Sequence, residues 1–151
     1  MNASGRMLRW AGGIMLALGT GHLLLSAVFA REQITGWVDR GVWAAVPLAL
    51  TAIGTDQTAE SLQNQATFWA APGSFAVPLI LLGGLTWHLA GRGVALPPWI
   101  GWALAVWCLL AGILLVPSPY FAGIISGALI ITANRKQAPP QTAHDRQNNP
   151  A

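Results

Sequence analysis

Four stretches of this chain are too apolar for water, and they restrict its possible folds more than any motif it carries. The first, Leu8 to Ala30, is 23 residues long, and its only strongly polar side chains are Arg9 at one end and His22 two-thirds along. As a helix rising ~1.5 Å per residue it reaches roughly 34 Å, more than the about 30 Å of a bilayer's hydrocarbon core. Only 9% of the 151 residues are charged, 54% are hydrophobic and mean hydropathy is +0.50, whereas a soluble domain is about one quarter charged. These numbers predict a single-domain integral membrane protein.

The second span is expected at Thr67–Ala90 and the third at Pro98–Val116. The fourth, Tyr120 to Ala133, is short, and must borrow length from Ser118, Pro119 and Asn134 or sit in a thinned bilayer. Ser118 reads as an N-cap with Pro119 at the first helical position. Pro78, inside span two, should remove one helical hydrogen bond, free the carbonyl of Ser74 and kink the helix. Arg6, Arg9, Arg92, Arg135, Lys136 and Arg146 fall on one side, and Arg31 and Arg40 on the other, diluted by Glu32, Asp39, Asp56 and Glu60. Excess Lys and Arg mark the cytoplasmic side, so both termini are expected there, with the protein in the inner (plasma) membrane. Trp10, Trp69, Trp87, Trp99 and Trp102 fall near span ends, where amphipathic rings anchor at headgroups.

Arg6 and Arg9 before an apolar core resemble a cleavable signal peptide, but the stretch exceeds a typical h-region and contains His22, so span one is read as retained. The segment Arg31–Ala66 is the longest connection. Within it Gly41–Gly54 is apolar, too short to span and interrupted by Pro47, which suits an interfacial or re-entrant piece on the outer face. Residues 137–151, rich in Pro, Gln and Asn, are expected to form a disordered cytoplasmic tail. The net charge is only +3 despite a pI near 10, and the basic residues flank apolar runs, so no nucleic-acid partner is expected. The single cysteine, Cys108, forms no intrachain disulfide and reads as a packing residue.

Small residues recur at helical spacing. Gly12 and Gly19 share a stripe with Leu16, His22 and Ser26. Gly73 and Gly84 lie with Val77 and His88, and Gly101 and Gly112 with Ala105 and Cys108; Gly123 and Gly127 form a Gly-x-x-x-Gly pair. In lipid, helices gain little from hydrophobic burial against one another, and close backbone approach over small residues drives their association. The expected architecture is all-α, a four-helix transmembrane bundle with an interfacial segment between spans one and two.

His22 is the sharpest candidate for chemistry, because a titratable group in a membrane is costly and faces the bundle interior. It can contact a ligand or, more plainly, hydrogen-bond a neighbouring helix. His88 lies near the cytoplasmic end of span two, which puts the two imidazoles about 15–20 Å apart in depth by the helical rise, too far to share a haem iron. No span contains Asp, Glu or Lys, which disfavours proton-coupled transport. No acid pair or nucleophile–base set is legible, so neither enzyme activity nor a metal or cofactor is expected. The residues read as a ligand site, between spans one and two, are His22, Ser26, Phe68, Trp69 and Ser74.

Several pieces in order carry a resemblance: Gly19-Thr20-Gly21-His22 in span one, Phe68-Trp69 with Gly73 four residues on, Leu81 to Gly83, Pro97-Pro98-Trp99-Ile100-Gly101-Trp102 opening span three, and Val116-Pro117-Ser118-Pro119-Tyr120-Phe121 before span four. From Arg9 to Lys136 the chain resembles the domain of unknown function 6463 family of small bacterial membrane proteins. It departs from that pattern at Pro119, where glycine is usual, and at Ala70-Ala71-Pro72, which is less bulky than the family's aromatic run. The resemblance implies a retained first span and brings no activity with it. The function expected from the residues is binding of a small apolar or lipid-like ligand between spans one and two. The alternative is a structural or accessory subunit of a homo-oligomer or membrane complex, followed by a transporter and then a haem or quinone oxidoreductase subunit.

Overall fold

The computed structural model describes residues 3–40, 59–114 and 119–136, and within them the chain is all-α. Six helices follow in order: α1 (Ala3–Phe29), α2 (Arg31–Arg40), α3 (Ala59–Ala70), α4 (Ala76–Gly91), α5 (Pro98–Leu114) and α6 (Tyr120–Arg135). The apolar piece at 41–54 and the tail at 137–151 lie outside the described residues. Helix α1, with 27 residues, measures roughly 40 Å at ~1.5 Å per residue and is long and apolar enough to cross a membrane. Helices α4 and α5 are apolar but shorter, at 16 and 17 residues.

The expected second span is not one helix. Helix α3 ends at Ala70 and α4 begins at Ala76. Pro72 causes the break. A residue before proline is pushed out of the α region, and proline has no N–H to continue the ladder. The carbonyl of Phe68, which residue 72 would have bonded, accepts instead from the Gly73 N–H at 2.9 Å. Chain direction is reset by Ser74, whose Oγ accepts from the Ala76 N–H at 3.2 Å and caps the start of α4. Pro78 then falls in the first turn of α4, where backbone N–H groups lack intrahelical partners anyway, so the expected loss of a hydrogen bond and kink does not arise. Helix α4 closes with Val94 N–H bonding the Leu89 carbonyl at 3.0 Å and Gly93 N–H the Ala90 carbonyl at 3.4 Å. This pairing needs a left-handed residue, and Gly93 supplies it at φ 71°. At the start of α6, Pro119 itself holds the cap position with φ −70° and no side-chain cap bond, one residue earlier in the helix than expected.

The chain forms two compact units, Met1–Ala11 with Thr86–Ala151, and Gly12–Leu85. In the first, α5 and α6 make an antiparallel hairpin. A Cβ placed on Gly101 would lie 2.8 Å from the Gly127 carbonyl oxygen, and one on Gly127 would lie 2.6 Å from the Gly101 oxygen and 2.9 Å from Ala105 Cβ. Further along, Gly123 meets Cys108 Sγ and Gly112 faces the Phe121 ring. The buried residues of α5 are Gly101, Leu104, Cys108 and Gly112, while Trp99, Trp102, Val106, Trp107, Leu109, Leu110, Ile113 and Leu114 point outward. Leu104 apart, small residues of α5 are inside and large apolar ones outside.

In the second unit, α1 and α4 also run antiparallel at glycine contacts. A Cβ on Gly19 would sit 2.8 Å from the Ala76 oxygen, and one on Gly83 would sit 3.0 Å from the Gly12 oxygen. Each helix advances seven residues between the two contacts, a repeat that returns the same face after two turns. Two expected packing positions change. Gly84 has nothing within 4 Å of an added Cβ, and its neighbour Gly83 makes the close approach instead. Gly73 lies in the break, against the Trp69 ring and Phe68 of its own turn, so it belongs to no helix-packing stripe.

Gly127→Ala drives a methyl into backbone atoms that cannot rotate away, and should cost about 1–3 kcal/mol. Gly84→Ala meets nothing and gains helix propensity of up to about 1 kcal/mol. Thermal or denaturant unfolding in detergent should therefore place the two variants on opposite sides of the wild type.

Candidate functional site

The break after α3 leaves a carbonyl without its helical partner. The Ala70 oxygen would have accepted from the Ser74 N–H, but that group bonds the Ala71 oxygen at 3.1 Å. His22 on α1 takes its place, with Nε2 at 2.7 Å from the Ala70 oxygen. A carbonyl can only accept, so Nε2–H is the donor of this bond. His22 thus ties α1 to the end of α3 and satisfies one of the orphan groups of a helix C-terminus.

A groove of about 240 Å³ opens beside this tie, lined by Ser26, Phe29, Ala30, Gln33, Gln63, Thr67, Ala70 and Ala71. The end of α1 supplies Ser26, one turn on from His22, together with Phe29. Helix α2 supplies Gln33, and α3 supplies Gln63 and Thr67, four residues apart and so on one face. Among the described residues the lining contains two hydroxyls and two carboxamides but no ionisable side chain. Hydroxyls and amides both donate and accept, so the groove can orient a neutral polar group against an apolar floor.

Helix α2 is held over α3 by one aromatic cluster. Trp37 is 6% exposed and packs with Ile34 and Phe68. Its Nε1–H donates to Asn64 Oδ1 at 3.2 Å, and Asn64 is itself buried. The Trp37 and Phe68 rings meet edge to face at 6.2 Å between centroids, as do Phe68 and Trp69 at 5.4 Å. At the start of α2, Glu32 lies in the first turn, where a carboxylate complements the helix dipole.

The residues expected to form the site therefore separate. Ser26 lines the groove, and His22 bonds Ala70, which also lines it. Phe68 belongs to the cluster that supports α2. Trp69 meets Phe68 edge to face but is mostly exposed, and Ser74 caps α4. Sequence reading missed Gln33, Gln63 and Thr67 on the wall and the Trp37–Asn64 pair behind it. The available signal was a buried-type tryptophan within the otherwise polar Arg31–Arg40 segment. Among the described residues no group of three or more His, Cys, Asp or Glu could hold a metal ion.

A small all-helical protein with glycine-mediated helix contacts and a neutral polar groove is the class that these features define. The chain belongs to a family of unknown function (DUF6463), whose model matches residues 6–138. No curated protein and no solved structure matches it.

His22→Ala leaves the Ala70 oxygen unpaired and should lower stability by about 1 kcal/mol, while His22→Gln, which can still donate, should recover part of the loss. Paired thermal melts check this. Trp37→Phe keeps the ring packing but strands the buried Asn64 oxygen, at a cost of about 1–3 kcal/mol; hydrogen exchange should show faster opening of α2.

Proposed function

We propose that this protein is a multi-pass, non-enzymatic protein of the inner membrane that holds a small neutral amphiphile in the groove between the end of α1, α2 and α3. The membrane part of this reading is supported by the inverted side-chain distribution. Helix α5 buries two glycines, Cys108 and Leu104 while turning its tryptophans and most of its other large apolar side chains outward. In water such a continuous apolar surface would drive association; in lipid it is the favourable arrangement, and small residues give the helix contacts. The four spans would be α1, α4, α5 and α6, with both termini cytoplasmic.

The groove carries the binding part. Its walls offer Ser26, Gln33, Gln63 and Thr67, none of which bears charge. A charged ligand would lose hydration there with no counter-charge, which costs several kcal/mol. A neutral molecule with a hydroxyl or carbonyl end and an apolar body matches both the side chains and the modest volume. His22 acts here as a positioning residue: it fixes Ala70, and with it the α3 wall, relative to α1.

Native mass spectrometry of protein released gently from its own membranes tests the reading. The wild type should retain a reproducible added mass below about 1 kDa, a size set by the small groove. Gln63→Leu should release it with the fold intact, and His22→Ala should weaken it. A wild type that flies bare, or an added mass indifferent to Gln63→Leu, overturns the proposal.

A further inference from the structure

We infer that the basic end of the unit formed by Met1–Ala11 and Thr86–Ala151 is a binding site for the phosphate of an anionic phospholipid headgroup, with Arg9 at its centre. The inference rests on the membrane reading above and is independent of the groove. Arg9 lies in α1 with its guanidinium carbon 5.9 Å from the centre of the Trp87 ring on α4. Its terminal Nη2 lies 3.8 Å from where a Cβ on Gly91 would be, an ordinary contact distance, so the guanidinium rests against the end of α4. Its Nε is shut off from solvent and has no hydrogen-bond partner among the described residues. A cation that has lost water at one edge, with a ring face as its neighbour, is left to satisfy its charge through the terminal Nη groups. These form a fork suited to phosphate.

The surroundings reinforce that demand. Arg6 precedes Arg9 by three residues on the same helix face, and Arg92 and His88 stand at the end of α4; all three are exposed. Helix α6 returns antiparallel beside α5, with Ile131 against Gly101, which brings Arg135 and Lys136 level with the beginning of α5. Among its described residues this unit contains no Asp or Glu, so none of them sets a carboxylate against the cluster. Trp87 suits the same position, since indole rings favour the headgroup layer. Basic pockets between helices on the cytoplasmic side take phospholipid headgroups through this combination of charge and donors.

The test is native mass spectrometry of the full chain in neutral detergent, titrated with phosphatidylglycerol or with phosphatidylcholine of the same acyl chains. The wild type should retain phosphatidylglycerol about tenfold better. Arg9→Gln should abolish the preference, whereas Arg31→Gln, which removes the same charge outside this unit, should leave it unchanged. If Arg9→Gln does not fold, the exposed pair Arg6→Gln/Arg92→Gln should still reduce the preference by about fivefold. Equal retention of the two lipids, an equal loss in Arg31→Gln, or displacement of the lipid by equimolar inorganic phosphate would each overturn the site. Extraction of the wild type from its membranes by alkaline carbonate would instead refute the membrane reading itself.

Discussion

Contact between helix backbones where side chains are missing is the interaction on which the rest of this structure depends. In the α5–α6 hairpin, Gly101 and Gly127 each face the other's carbonyl oxygen closely enough that a methyl on either would clash. At such a distance dispersion acts over many backbone atoms at once, each pair contributing only about 0.1–0.2 kcal/mol. The same device joins α1 to α4 through Gly12, Gly19 and Gly83. Because glycine fills the seams, the larger apolar side chains must point away from them, and the inverted surface of α5 follows directly.

A broken helix creates the conditions for the candidate site. Pro72 terminates α3 and leaves five residues, 71–75, before α4 begins, and a terminated helix exposes carbonyl groups that need donors. One of them, on Ala70, is met by His22 from α1. That bond joins two exposed groups and holds the end of α3 to α1. The break also turns α3 against α2, where the Trp37–Asn64 bond and the Trp37–Phe68 contact fix the far wall of the groove. The site is thus a by-product of how the chain repairs an interrupted helix.

The helical class, the apolar runs and most of the seam were legible from the order of residues. The Gly101, Gly112, Gly123 and Gly127 positions follow from helical spacing, because a stripe of small residues on adjacent apolar segments has few other places to go. The choice between Gly83 and Gly84 was not legible: adjacent glycines lie about 100° apart around a helix, and only the partner's position selects one of them. The helix break was misread because hydropathy stays high through Ala70-Ala71-Pro72-Gly73 and hides the stop signal that the Pro-Gly pair carries. Of the candidate site, His22 and Ser26 stood out by their polarity in an apolar run. Gln33, Gln63 and Thr67 did not, since polar residues in a polar connection carry no pattern of their own.

The glycine seams also invert the usual map of what such a chain can tolerate. In a water-soluble protein the positions least open to substitution are large and buried, and deleting their atoms leaves holes. Here Gly101, Gly123 and Gly127 have no side-chain atoms to delete, and any addition to them pushes two helices apart. Leu109, Leu110 and Ile113, by contrast, face outward and can be exchanged among apolar residues with little effect on the hairpin. Over generations the heavy outward side chains of α5 are therefore free to drift, while the glycines of the α5–α6 seam hold still.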